Sequence, residues 1–130
     1  MPINPPAVGA ATVAAYGLAA LWYSPVLFFK AWQQELGLSD EQAKAGSRPI
    51  NLVIALLLVL ASATTFAFFL GKVPPLTGAL YGLIAGLVWV AGSIGIDYRF
   101  EGKSLTLFAI NGGYHTLEFI LIGLILGLIH

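Results

Sequence analysis

Four apolar stretches of about 20 residues each, set apart by connectors that hold nearly all the charge, constrain this chain more than any other feature. A hydrocarbon core about 30 Å thick is crossed by roughly 20 helical residues. The stretches run from about Ala7 to Phe29, Ile50 to Leu70, Leu76 to Ile96 and Ser104 to Ile129. Pro49 sits near the start of the second, Gly71 just past its end, and Pro74-Pro75 at the turn into the third, positions that suit helix boundaries. The short connector between the second and third makes those two helices antiparallel neighbours. The expected fold is therefore all-α: a polytopic membrane protein with four transmembrane helices in one antiparallel bundle, forming a single domain.

Composition agrees. Only 9% of residues are charged against 58% hydrophobic, whereas soluble domains carry roughly 25% charged residues. Such a chain in water would lack the polar surface to cover itself. Six basic and six acidic residues form no basic patch, which argues against nucleic acid as a partner. Without cysteine there are no disulfides, thiolate metal sites or thiol nucleophiles. The first stretch has no Lys or Arg before Lys30 and exceeds a signal-peptide core in length, so it reads as a retained helix.

Basic residues set the expected orientation. Lys30, Lys44, Arg48, Arg99 and Lys103 lie in the first and third connectors, and Lys72 alone in the second. The positive-inside rule then places both termini on the non-cytoplasmic side of a bacterial inner membrane. In the first connector, Ser39 and Gln42 have capping-box spacing, which predicts a short helix over Asp40 to Ala45. Phe28, Phe29, Trp32 and Leu36 recur at helical spacing and predict an amphipathic segment lying in the interface. Trp22, Tyr23 and Trp32 suit an aromatic belt.

Small residues repeat every fourth position: Ala11, Ala15 and Ala19; Gly78, Gly82 and Gly86; Gly123 and Gly127. Stripes of this kind let helices approach closely, and in lipid that contact drives association. Packing within the chain is the favoured reading, with a homo-oligomer or a larger membrane complex as the other use of the same stripes.

Asn111, Tyr114, His115 and Glu118 fall at i, i+3, i+4 and i+7 on the last span, one face of one helix. Glu118 lies roughly 20 Å along the axis from Leu105, close to the bilayer midplane. An acid there costs on the order of 2.5–3.5 kcal/mol on insertion scales. The span's Leu, Ile and Phe residues supply roughly −4 to −8 kcal/mol, so the helix inserts. Glu118 must then carry a proton, pair with His115, or meet a polar group of another helix; Tyr16, Tyr81, Ser62, Thr64 and Thr65 are the candidates. Asn51 is a candidate partner for Asn111. Asp97, Arg99, Glu101 and Lys103 read as a solvated turn around Gly102.

Three functions compete. The first is a structural or accessory subunit of a membrane complex, with the stripe as interhelical glue and no cofactor beyond lipid. The second is a small proton- or ion-coupled transporter or channel module built on His115 and Glu118. The third is a carrier of haem or a chlorophyll-like pigment on His115. An enzyme is not expected: a Ser–His–Asp arrangement would need a nucleophile beside His115, whose only nearby acid is Glu118, and two midplane ligands are too few for metal hydrolysis.

Leu21-Trp22-Tyr23-Ser24-Pro25 with Phe28 to Trp32 (FFKAW), then Phe100 to Leu105 (FEGKSL) and Asn111 to His115 (NGGYH), resemble two signatures of a family of small bacterial membrane proteins, filed as domain of unknown function 1761. The resemblance covers nearly the whole chain in order. It implies four membrane helices and an uncharacterised function. Phe29 stands where the family pattern usually has glycine, and Glu118 is outside the signature. A role shared across the family would therefore rest on Trp22, Tyr23, Ser24, Pro25, Asn111, Tyr114 and His115.

Overall fold

The computed structural model describes residues 3–129. Among the described residues six helices follow one another: α1 (Pro5–Trp22), α2 (Phe29–Leu36), α3 (Asp40–Ala45), α4 (Pro49–Leu70), α5 (Pro75–Glu101) and α6 (Leu105–Leu128). Of these, α1, α4, α5 and α6 are long and apolar enough to cross a membrane.

Helix α1 stops at Trp22, seven residues before the expected end at Phe29. The cause is Pro25, which has no N–H to offer the carbonyl of Leu21 four residues back. The hydroxyl of Ser24 donates to that carbonyl instead, at 2.7 Å. Tyr23 to Phe28 form a compact turn, closed by the Phe28 N–H donating to the Trp22 carbonyl at 3.1 Å. The chain then restarts as α2, an amphipathic helix ended by Gly37 in the left-handed conformation. Helix α3 has the capping box, with Ser39 and Gln42 bonding each other's backbone N–H.

Helix α6 is the central element. It packs on α5 along its length, on α1 over a shorter stretch, and on α4 least. The face shared by α1 and α4 is built from small side chains: Ala7, Ala11 and Ala15 meet Ala63, Ala67 and Val59, closed off by Ile122 and Leu126 of α6. Helix α4 is the barest of the four, with Leu52, Val53, Leu57 and Leu58 exposed.

The two glycine stripes face each other. Gly78 lies against Gly123, Gly82 against the Phe119 carbonyl, and Gly86 against His115 and Thr116; Gly127 meets Pro75. A Cβ at any of them would overlap backbone of the opposite helix, so only hydrogen allows this approach.

Helix α5 does not end at Ile96, as its charged tail implied, but at Glu101, where Gly102 caps it in the left-handed conformation. It carries a π-helical stretch over Ala85–Ala91. Five residues on an α-helix turn a side chain about 140° past its start. Hydrogen bonding of the i→i+5 type absorbs the extra residue. Ala91 therefore shares the α6-facing side with Gly86, and Gly95 follows one turn later. Ala91 Cβ meets Gly112, and the Phe108 ring covers Gly95. The small-residue stripe thus runs 78, 82, 86, 91, 95.

Candidate polar site between α1, α5 and α6

Because α1 breaks after Trp22, its last turn presents Trp22 and Tyr23 to the start of α6. Trp22 Nε1 donates to the Ile110 carbonyl at 2.8 Å. Its ring lies over Gly113, where a Cβ would crowd it. The Tyr23 hydroxyl donates to Asn111 Oδ1 at 2.7 Å, and Asn111 Nδ2 donates to the Tyr98 hydroxyl at 2.6 Å. Asn111 therefore ties three helices at one point. Ser24 and Pro25 do not reach this cluster: they build the turn, and Pro25 is exposed.

One turn deeper, the Tyr114 hydroxyl lies 3.0 Å from Glu118 Oε2 and 3.3 Å from the Ala15 carbonyl. The other carboxylate oxygen, Oε1, sits 2.8 Å from His115 Nδ1. Glu118 is 4% exposed, while the His115 side chain keeps about a third of its surface open. The Tyr23 ring stacks edge-on against Tyr114 at 5.6 Å, and Tyr114 against His115 at 4.9 Å. Among the described residues no group of three or more His, Asp or Glu side chains comes together as metal ligands.

Of the partners expected for Glu118, His115 is met, at 2.8 Å, whereas the hydroxyls of Tyr16, Thr64 and Thr65 are not. Tyr16 donates to the Leu52 carbonyl, and Thr64 and Thr65 to carbonyls of their own helix. The carboxylate is satisfied by Tyr114 and His115, from the preceding turn of α6. Asn51 does not meet Asn111 but donates to the Ala45 carbonyl at 3.3 Å. Tyr98 is the residue that sequence reading missed. It lies on the last turns of α5, beyond the expected end at Ile96, and its signal is the absence of proline before Gly102.

The third connector is tied to the first. Ser104 caps α6 by accepting from the Leu107 N–H at 3.0 Å, and its hydroxyl also donates to Glu35 on α2. Asp97 is exposed, and Lys103 pairs with Glu101 at 3.7 Å while lying over the Tyr98 ring.

A cleft of about 590 Å³ opens beside this cluster. Tyr16, Ala20, Tyr23, Trp32, Ala55 and Asn111 are among the residues lining it, so α1, α2, α4 and α6 all contribute.

The two segments that carry the signature residues, Trp22-Tyr23 and Asn111 to Tyr114, are thus the two that meet in space. Neither a curated protein nor a solved structure matches the chain. A protein family does, over residues 6–127: the family described as Protein of unknown function (DUF1761). This span takes in the four long helices but for Pro5 and Leu128, together with the whole polar cluster, and the chain belongs to the DUF1761 family.

Proposed function

We propose that this protein is a small structural subunit of a larger integral membrane assembly, seated in a bacterial inner membrane with both termini on the non-cytoplasmic side. The carrying observation is where the polar groups go. Trp22, Tyr23, Tyr98 and Asn111 each spend a hydrogen bond on joining one helix to another. That is the work of a scaffold in lipid, where helices are held by close packing and hydrogen bonds. Helix α4, nearly bare, supplies the face for a neighbouring subunit. The orientation rests on five basic residues in the first and third connectors against Lys72 in the second. The Glu35–Ser104 contact joins those two connectors, so their basic residues count together.

Native mass spectrometry of the protein released gently from its own membrane tests this. A discrete species well above the 13.7 kDa chain, containing a second polypeptide at fixed ratio, is expected. A lone chain, recovered quantitatively under conditions that keep other membrane complexes whole, would overturn the proposal.

Proton handling is the second reading. One observation favours it: the buried Glu118 carboxylate is bonded to a histidine that stays partly open. Glu118→Gln keeps an acceptor for Tyr114 and removes the titrating group. Proton flux into liposomes should then vanish if this reading holds and persist if it fails.

A further inference from the structure

The cleft beside the polar cluster is built unlike two other cavities among the described residues. The groove between α4 and α5 is lined by Phe66, Phe69, Leu70, Tyr81, Ile84 and Trp89, with one phenol and one indole N–H as its side-chain polar groups. The hollow near Tyr98 and Phe108 is smaller, about 270 Å³, and carries two cations, Arg99 and Lys103. The cleft has neither character. At about 590 Å³ it lies within the range of small-molecule sites, and no charged side chain lines it.

Its chemistry is concentrated at one place. Asn111 spends one amide N–H on Tyr98, and among the described residues the second has no acceptor. Tyr23 donates its proton to Asn111, which leaves the phenol oxygen able to accept. Tyr16 has likewise committed its proton, to the Leu52 carbonyl. The walls are aromatic: Phe29 and Trp32 lie nearly parallel, with ring centroids 6.0 Å apart, and Tyr23 presents its ring to Trp32 edge-on at 6.5 Å.

A charged headgroup placed here would be stripped of water with nothing to balance it. A bare acyl chain would leave the free amide N–H of Asn111 unpaired. A flat, uncharged molecule with a carbonyl oxygen satisfies both conditions, since its ring meets aromatic walls and its oxygen meets the N–H. We propose that the cleft between α1, α2, α4 and α6 binds an uncharged, ring-bearing lipophile whose carbonyl oxygen accepts a hydrogen bond from Asn111. Quinone-like membrane molecules have this chemistry. The proposal stands independently of the scaffold reading above, because every residue it rests on belongs to this chain.

The test uses the full chain in lipid nanodiscs and follows tryptophan fluorescence, with Trp32 in the cleft wall as reporter. The probe is 2-ethylanthraquinone. Saturable quenching is expected for the wild type. The same ring system without carbonyls, 2-ethylanthracene, should bind at least fivefold more weakly, and anthraquinone-2-sulfonate at least tenfold more weakly. Ala55→Phe on α4 fills the cleft while leaving every residue of the hydrogen-bonded cluster in place, and should weaken the quinone at least tenfold while thermal unfolding stays unchanged. Ala20→Phe blocks the cleft from α1 and serves should the first variant fail to fold. Absence of saturable quenching, as when a bilayer acyl chain already fills the space, would overturn the proposal. So would equal binding by the anthracene, the sulfonate or a folded cleft-filling variant.

Discussion

Tyr23 and Asn111, 88 residues apart in the chain, share a hydrogen bond of 2.7 Å at the point where α1 breaks against α6. Replacing Tyr23 with Phe removes the donor and keeps the ring that stacks on Tyr114. Interhelical hydrogen bonds in membranes average about 0.6 kcal/mol and reach about 1.7. Tyr23→Phe should therefore destabilise the folded protein by about 0.5–1.5 kcal/mol in a denaturing-detergent titration. Combined with Asn111→Leu, it should cost less than the sum of the two single changes. Strict additivity would mean that the contact contributes no coupling.

Glu118 separates hydrogen bonding from charge. Its carboxylate accepts from Tyr114 through one oxygen and faces His115 through the other. Gln retains an oxygen for Tyr114, so Glu118→Gln should stay within about 1 kcal/mol of wild type. Leu offers no acceptor, and leaving buried polar partners unsatisfied costs about 1–3 kcal/mol. The check is the same titration on both variants. A Gln variant as damaged as the Leu variant would show that the ionic form itself holds the cluster together.

Close approach of α5 and α6 makes the glycines unequal. A methyl at Gly82 would run into the Phe119 carbonyl and the Ile120 Cα, backbone that has no rotamer by which to escape. Gly17 on α1 has nothing within 4 Å of the same added atom. Gly82→Ala should cost about 1–3 kcal/mol through overpacking. Gly17→Ala should be neutral or gain up to about 1 kcal/mol from helix propensity. Thermal unfolding followed by circular dichroism ranks the two, and a similar loss at both sites would contradict the described packing.

Much of this architecture is legible in the sequence because lipid simplifies the problem. A span must be long and apolar, so α4 and α6 declare themselves by length alone, and the Ser39–Gln42 box marks α3 through its own local chemistry. What stays hidden are places where one local rule is overruled by a contact elsewhere. The apolar run through Phe29 conceals the end of α1, set by one missing N–H at Pro25 and by the docking of Trp22 on Ile110. The charges at Asp97 and Arg99 look like a loop, yet α5 continues beneath them to Glu101, and Tyr98 meets Asn111 from it. The stripe at Asn111, Tyr114, His115 and Glu118 is visible by spacing. That Glu118 takes both side-chain partners from its own helix follows only from the packing, which leaves Tyr16 and Thr64 bonded elsewhere.

The π-helical stretch makes the sharpest prediction. From Gly78 to Gly86 the contact residues of α5 recur every four positions, then Ala91 arrives after five, then Gly95 after four. The stretch therefore behaves as a single inserted residue whose extra angle is taken up by i→i+5 bonding over Ala85–Ala91. Val88 lies within it and is exposed, so its side chain adds nothing to the interface with α6. Deleting Val88 should let α5 relax to a regular α-helix with every small residue still facing α6 and Tyr98 still reaching Asn111. Stability should change by less than about 1 kcal/mol. Deleting Ala79 instead, between Gly78 and Gly82 where the period is already regular, rotates the rest of the stripe by about 100° away from α6 and should abolish folding. Thermal unfolding of the two deletions decides the matter. Equal damage from both would mean that the π stretch is required for its own shape and is not a register shift.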